Sequence, residues 1–219
     1  MRYSSFLFVA YRSWALEACV EAAPEVARVS CTGSMIEYLR CNSEVTNIVF
    51  IGWSEIIPRD ILENYSCYCI HPSRLPLFRG GSPIQNQIIA GVLDSAVTLF
   101  KMNERLDAGP IYKQKYLSLR GNLSKILQRL SFSAAELVRD LIYDFTVLNN
   151  VPLEAQDDSL ATYFRRRRVD QSEITAEDFK SLPAVQIYNK IRALSDPYPN
   201  AFIVCNDGRR VFFKDADIS

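Results

Sequence analysis

Apolar residues in this chain fall into short runs, and the stretches between them carry helical spacing. Phe6–Ala10, Val26–Cys31, Asn47–Ile51 and Cys67–Ile70 have the length and character of strands buried in a sheet. Between them, Ser13–Ala23 reads as a helix ended by Pro24, Met35–Arg40 as a short helix, and Pro58–Asn64 as a helical turn. Such alternation predicts βαβ units and a mostly parallel sheet. Pro83–Ala90 reads as a further helix. Ser95–Met102 and Ile111–Leu117 read as strands, joined by a polar loop with Asp107-Ala108-Gly109-Pro110. From Leu123 to Val147, apolar residues at Leu123, Ile126, Leu127, Leu130, Ala134, Leu137, Val138 and Leu141 predict one long amphipathic helix. Residues 150–183 are polar and charged. The end, 201–217, reads as a hairpin around Asn206-Asp207-Gly208.

Composition narrows the class. At 219 residues, 48% hydrophobic and 23% charged, the chain has the balance of an ordinary globular domain with room for a small appendage. Twenty-five Lys and Arg balance 25 Asp and Glu, so no global field favours nucleic acid and any basic patch must be local. The six cysteines form no compact framework and read as reduced thiols, the pattern of a cytoplasmic protein. Phe6–Tyr11 is too short for a signal-peptide core and is followed by Arg12. No segment approaches the roughly 20 apolar residues of a membrane span, so no membrane partner is expected. Ala10-Tyr11-Arg12-Ser13 after the first strand is not a dinucleotide fingerprint, and there is no Walker loop.

His71 is the only histidine, and histidine is the side chain suited to proton transfer near neutral pH. It ends a strand on which Cys67, Cys69 and His71 share one face, at the edge where open α/β sheets bind ligands. Pro72 and Pro76 stiffen the departing loop. Gly80-Gly81 would let backbone amides approach a ligand, and Arg74 and Arg79 supply charge for a phosphate or carboxylate. Asp107 is a carboxylate that could partner His71 in acid/base work. Structural readings stand beside these. A lone histidine at a strand end can simply satisfy a hydrogen bond, Gly80-Gly81 can be a turn, and Arg165–Arg168 beside Asp170 and Glu173 reads as a solvated surface. Zinc is not expected, because three residues on one extended strand chelate poorly and no second ligand cluster exists.

Three segments resemble the formyltransferase family: His71-Pro72-Ser73-Arg74-Leu75-Pro76, Arg79-Gly80-Gly81-Ser82-Pro83-Ile84 and Leu106-Asp107-Ala108-Gly109-Pro110-Ile111. Ala96–Met102 looks like the family's connecting strand, and Gly52–Pro58 is similar to its folate-binding loop. Ile191–Pro199 looks like a stretch that follows the core in the tRNA and sugar members. The resemblance implies an α/β, Rossmann-like formyltransferase core at 1–185 with a small C-terminal β-hairpin extension at 186–219. It implies transfer of a formyl group from N10-formyltetrahydrofolate to an amine. His71 would be the general base, with Asp107 orienting it and Cys69 beside the reacting carbon. Ser54, Glu55, Ile56, Ile57, Asn103, Glu104 and Asp107 would hold the folate, and Ser73, Arg74, Arg79, Gly80, Gly81 and Ser82 the acceptor. No metal is implied. The family pattern has an asparagine where this chain has Cys69, and a thiol is the weaker donor.

The tRNA members carry a C-terminal barrel that 186–219 is too short to form, and the purine member carries a glycine-rich loop this chain lacks. The expected acceptor is therefore a nucleotide-linked amino sugar, of the kind used in cell-surface polysaccharide and lipopolysaccharide synthesis, with its diphosphate on Arg74 and Arg79 and no nucleic-acid partner. The alternatives are a methionyl-tRNA-type or other amine formyltransferase, or a weakly active binding homologue permitted by Cys69. The exposed hairpin could pair two subunits as a homodimer.

Overall fold

The structure is a computed structural model and describes residues 3–218. In chain order, β1 (Phe6–Val9), α1 (Ser13–Ala22), β2 (Ala27–Val29), α2 (Thr32–Cys41), β3 (Asn47–Ile51), α3 (Arg59–Asn64) and β4 (Ser66–His71) build the first half. There follow β5 (Arg79–Gly80), α4 (Pro83–Ile89), β6 (Asp94–Lys101), β7 (Ile111–Ser118) and α5 (Leu123–Tyr143). The remainder holds β8 (Tyr163–Phe164), α6 (Ala176–Ser181), α7 (Ala184–Ala193), β9 (Phe202–Val204) and β10 (Arg210–Phe212).

Six strands form one sheet in the order β2-β1-β3-β4-β6-β7. The pairs β1–β2, β1–β3 and β3–β4 are parallel, whereas β4–β6 and β6–β7 are antiparallel. The expected α/β fold with a mostly parallel sheet is thus present, with an antiparallel edge. Strand alternation splits the apolar residues between two faces. Phe6, Phe8, Val49, Ile51, Tyr68 and Ile70 pack with α1 and α5. Leu7, Val9, Ile48, Phe50 and Cys67 pack with α2 and α3.

Helix α5 buries Leu123, Ile126, Leu130, Leu137, Val138 and Leu141 completely. Each such side chain contributes about 1.5–3 kcal/mol. The helix runs to Tyr143 and then widens to a π turn over Asp144–Leu148, closed by Asn149 at φ 49°. The expected continuous helix to Val147 therefore changes geometry one turn early. Helix α2 starts at Thr32 rather than Met35, because the Cys31 sulfur caps the Ser34 amide at 3.4 Å. The C-terminal hairpin β9–β10 forms as expected. The division expected at 185/186 falls inside α7, whose Ile187 and Ile191 enter the same core as Ile84 and Ile88 of α4.

Candidate active site at the end of strand β4

Strand β4 delivers His71 to the sheet edge, where three separate elements and a tie of its own lock the loop that follows. The Gln87 amide donates to the Pro72 carbonyl at 2.8 Å, and Thr98 Oγ1 donates to the Ser73 carbonyl at 2.6 Å. Ser73 Oγ donates to the Leu77 carbonyl at 2.7 Å, and the Gln114 amide to the Leu75 carbonyl at 2.9 Å. That loop turns at Phe78, held at φ 58°, and places the Phe78 carbonyl 2.9 Å from His71 Nε2. A carbonyl only accepts, so Nε2 carries hydrogen. The other ring nitrogen, Nδ1, faces Asp107 Oδ2 at 3.5 Å, with both side chains nearly buried.

Asp107 is held in turn. Its φ is 50°, in the left-handed region, and its Oδ2 accepts the Gly80 amide at 2.7 Å. Gly109 lets this loop fold against β6, since a Cβ there would lie 1.8 Å from the Lys101 carbonyl oxygen. The Gln156 amide donates to the carbonyls of Asp107 at 2.9 Å and Gly109 at 2.6 Å. Its oxygen accepts from Arg79 Nη2 at 2.7 Å and Nε at 3.1 Å. Arg79, fully buried, also reaches Asp158 at 2.9 Å and the Tyr163 hydroxyl at 2.6 Å. Gln156, Asp158 and Tyr163 were not legible as site residues. They lie in the polar stretch 150–183, where no periodicity marks them.

A cavity of about 1330 Å³ opens beside the pair. Cys69, His71, Asp107, Gly80, Gly81 and Ser82 line it, as do Ser54, Glu55, Ile56, Ile57, Asn103 and Glu104. The expected catalytic and folate residues therefore share one space. Most of their polar side chains are already engaged. Ser54 Oγ pairs with the Tyr11 hydroxyl at 2.5 Å, Glu55 accepts from Thr32 at 2.7 Å, and Glu104 pairs with Arg59 at 3.0 Å. Ile56, 95% exposed, and Leu106, 64% exposed, stand at its rim as apolar lips. Burial, then the nearby Asp107 carboxylate, pushes the Cys69 thiol well above its usual range, so this sulfur is a neutral, weak donor.

Three expected acceptor residues do not face this space. Ser73 is buried in the loop ties, Arg74 is exposed outside the cavity, and Arg79 is buried with its guanidinium spent on Gln156, Asp158 and Tyr163. Nor do Gly80 and Gly81 present amides to a ligand. The Gly80 amide binds Asp107, and the Gly81 amide donates to the Phe164 carbonyl at 2.8 Å. Glycine is required at 81 by the neighbouring chain, because a Cβ would meet the Arg166 backbone at 2.4 Å. That same crossing brings Arg165–Arg168 onto the cavity wall, where Arg166 Nη2 donates to the Ser54 carbonyl at 2.9 Å. As a solvated run would be, Arg165, Arg166 and Arg168 are exposed and Arg168 pairs with Asp170 at 2.8 Å, but the run also forms part of the cavity wall. β8 pairs in parallel with β5, which no sequence pattern announced.

An α/β sheet carrying a nearly buried His–Asp pair at one strand end beside a large cavity has the parts of an enzyme site for acid/base chemistry. Residues 26–136 match the family model described as "Formyl transferase", and residues 173–219 match "Formyl transferase, C-terminal domain". The chain belongs to the formyl transferase family. It is 35% identical over 173 residues to a methionyl-tRNA formyltransferase of Wolbachia sp. subsp. Drosophila simulans, covering 77% of this chain and 54% of that protein. It is 32% identical over 166 residues to the methionyl-tRNA formyltransferase of Syntrophomonas wolfei, covering 73% and 50%. The chain spans about half the length of the curated relatives it matches. A methionyl-tRNA formyltransferase structure from Clostridium thermocellum matches with a TM-score of 0.83 at 29% identity, over 98% of this chain and 93% of that one. A 4-N formyltransferase from Francisella tularensis shares the fold, with a TM-score of 0.75 at 19% identity over 99% and 100% of the two chains.

These findings overturn the expected nucleotide-linked amino sugar, the lipopolysaccharide setting and the absence of a nucleic-acid partner. The sugar reading rested on Arg74 and Arg79 meeting a diphosphate, and neither side chain reaches the cavity. The exclusion of nucleic acid rested on a net charge of +0, which hides a local arginine run at the cavity wall.

Proposed function

We propose that this chain transfers a formyl group to the α-amine of methionine esterified to tRNA. Similarity to methionyl-tRNA formyltransferases across the residues that build the cavity carries this reading. Arginines 165–168 on the cavity wall support it, because a nucleic-acid acceptor brings phosphates that neutralise such charge. N10-formyltetrahydrofolate, the co-substrate, supplies the formyl carbon. The backbone of Ser54–Ile57 and Asn103–Asp107 suits a flat ring bearing both donors and acceptors, with Ile56 and Leu106 covering its faces.

His71 and Asp107 act on the proton. When the amine adds to the formyl carbon it becomes cationic, and its proton must leave before the carbon–nitrogen bond is secured. The imidazole–carboxylate pair accepts that proton and returns it to N10 as the carbon–N10 bond breaks and tetrahydrofolate leaves, while the Phe78 carbonyl and Gly80 amide keep both groups oriented. The weak S–H of Cys69 donates to the Ile70 carbonyl at 3.7 Å and would have to turn to meet the developing oxyanion, so oxyanion stabilisation is the poorer half of this site. The six cysteines are all unpaired, which supports a cytoplasmic setting.

The test is mass spectrometry of methionyl-tRNA incubated with the protein and N10-formyltetrahydrofolate. The expected product carries one added formyl group on its methionine. Folded protein that binds the folate and leaves methionyl-tRNA unmodified sinks the reading.

A further inference from the structure

Tyr163 and Phe164 stand immediately before the arginine run, line the cavity, and are 56% and 38% exposed. Aromatic rings left on a surface at a cavity mouth mark a place where a partner binds. The Phe164 ring lies on the Phe78 ring, with centroids 4.9 Å apart and planes 11° from parallel. Each ring of such a pair covers one face of the other. Phe164 makes no further ring contact among the described residues, so its exposed side is left to meet a ligand.

The pair is held in place from both strands of chain. The Phe78 amide donates to Thr162 Oγ1 at 2.8 Å, and the Gly81 amide donates to the Phe164 carbonyl at 2.8 Å. Gly80 pairs in register with Phe164. A ring fixed before its ligand arrives loses little freedom on binding. The same strand carries the contacts to the reacting groups, through the Phe78 carbonyl at His71 and the Gly80 amide at Asp107. Cations follow directly. Arg165 is exposed and has no partner among the described residues, and exposed Arg166 engages only Nη2, with the Ser54 carbonyl. A preformed ring with free guanidinium donors beside it suits a single-stranded nucleic acid, whose bases stack on aromatic faces and whose phosphates meet arginine. A duplex keeps its base faces stacked on one another.

We propose that Phe164, backed by Phe78, is the platform on which an unpaired nucleotide of the acceptor's 3′ end stacks, with Arg165 and Arg166 on the adjoining phosphates. The proposal rests on the formyl-transfer reading for its occupant and adds to it a selection for single strand. The amino acid is esterified to the terminal ribose, so a nucleotide stacked beside His71 brings its amine to the proton acceptor.

Two fluorescein-labelled RNA hairpins of one stem carry the test, one blunt and one ending in about four unpaired 3′ nucleotides. By fluorescence anisotropy, the wild type should bind the overhanging hairpin about tenfold or more tighter than the blunt one. Phe164→Ala should bring that ratio to within about twofold, whereas Phe164→Tyr, which keeps a ring, should preserve it. Phe164→Leu, with bulk but no ring, replaces the alanine variant if that one does not fold. Arg165→Ala/Arg166→Ala should weaken both hairpins and flatten the salt dependence. Equal affinity of the wild type for the two hairpins, or a ratio unchanged in the variant without a ring, overturns the platform. Preference for the overhang without formylation of methionyl-tRNA sinks the functional reading and leaves the platform standing. Formylation without that preference does the reverse.

Discussion

Arg79 and the run Arg165–Arg168 lie on neighbouring strands of chain, yet they do opposite things. Arg79 is sealed under the His71–Asp107 pair and spends its guanidinium on Gln156, Asp158 and Tyr163. The run at 165–168 is mostly exposed and stands on the cavity wall. Read along the chain, the first looks like a ligand contact and the second like inert surface. The lesson is that an arginine's role follows from which of its donors remain unspent once the chain has folded. One side of this site is rigid because its polar groups satisfy one another. The other keeps donors free.

The largest expected effect lies on the rigid side. His71→Asn should lower kcat about 10²–10⁴-fold while leaving folate binding nearly unchanged, as read by single-turnover transfer beside equilibrium binding. Loss of folate affinity in parallel would place His71 in binding rather than proton transfer. Arg79→Met should cost about 1–3 kcal/mol of stability, because the Gln156 oxygen and the Tyr163 hydroxyl lose their buried partner. Chemical denaturation measures this, and a variant of wild-type stability would remove the contrast between the two arginine groups.

Smaller effects sharpen the comparison. Cys69→Asn should raise kcat about tenfold or more, since an amide donor restores part of the roughly 10²–10³ that an oxyanion contact is worth; a fall in kcat would mean that the thiol is matched to this site. The double variant Arg165→Ala/Arg166→Ala should leave the melting temperature unmoved. Its KM for methionyl-tRNA should rise several-fold, with a shallower salt dependence. The smallest effect is a pH dependence. Hydrogen bonds from Arg105, then Arg79, hold the Asp158 carboxyl below the usual range. A lowered folded pKa contributes stability that is fully present above the unfolded value near 3.9 and lost as pH falls through the folded one. Melting temperatures of wild type and Asp158→Asn should therefore differ at neutral pH, and the difference should shrink as pH falls below the unfolded value near 3.9.

The strands and helices of the first 143 residues were legible because their period is written in the apolar residues. β1, β3 and β4 are nearly continuous runs, and the stripe from Leu123 to Leu141 can only face a core. His71 and Asp107 were legible for a different reason: the lone histidine and the Gly/Pro turn after Leu106 are rare features that local chemistry marks. Ser73, Arg74 and Arg79 were misread because charge and polarity look alike whether they face a ligand or a buried partner.

By itself, then, the chain's pattern determined the α/β core, the strand end that carries His71 and the loop that carries Asp107, because periodicity and turn chemistry act over a few residues. Only the tertiary structure decided which donors are spent. The pairing of β5 with β8 joins residues 79–80 to 163–164, and that single contact buries Arg79, demands glycine at 81 and swings Arg165–Arg168 onto the cavity wall. No local propensity encodes a two-residue pairing across more than eighty residues, since its stability comes from the buried side chains around it rather than from the strands themselves.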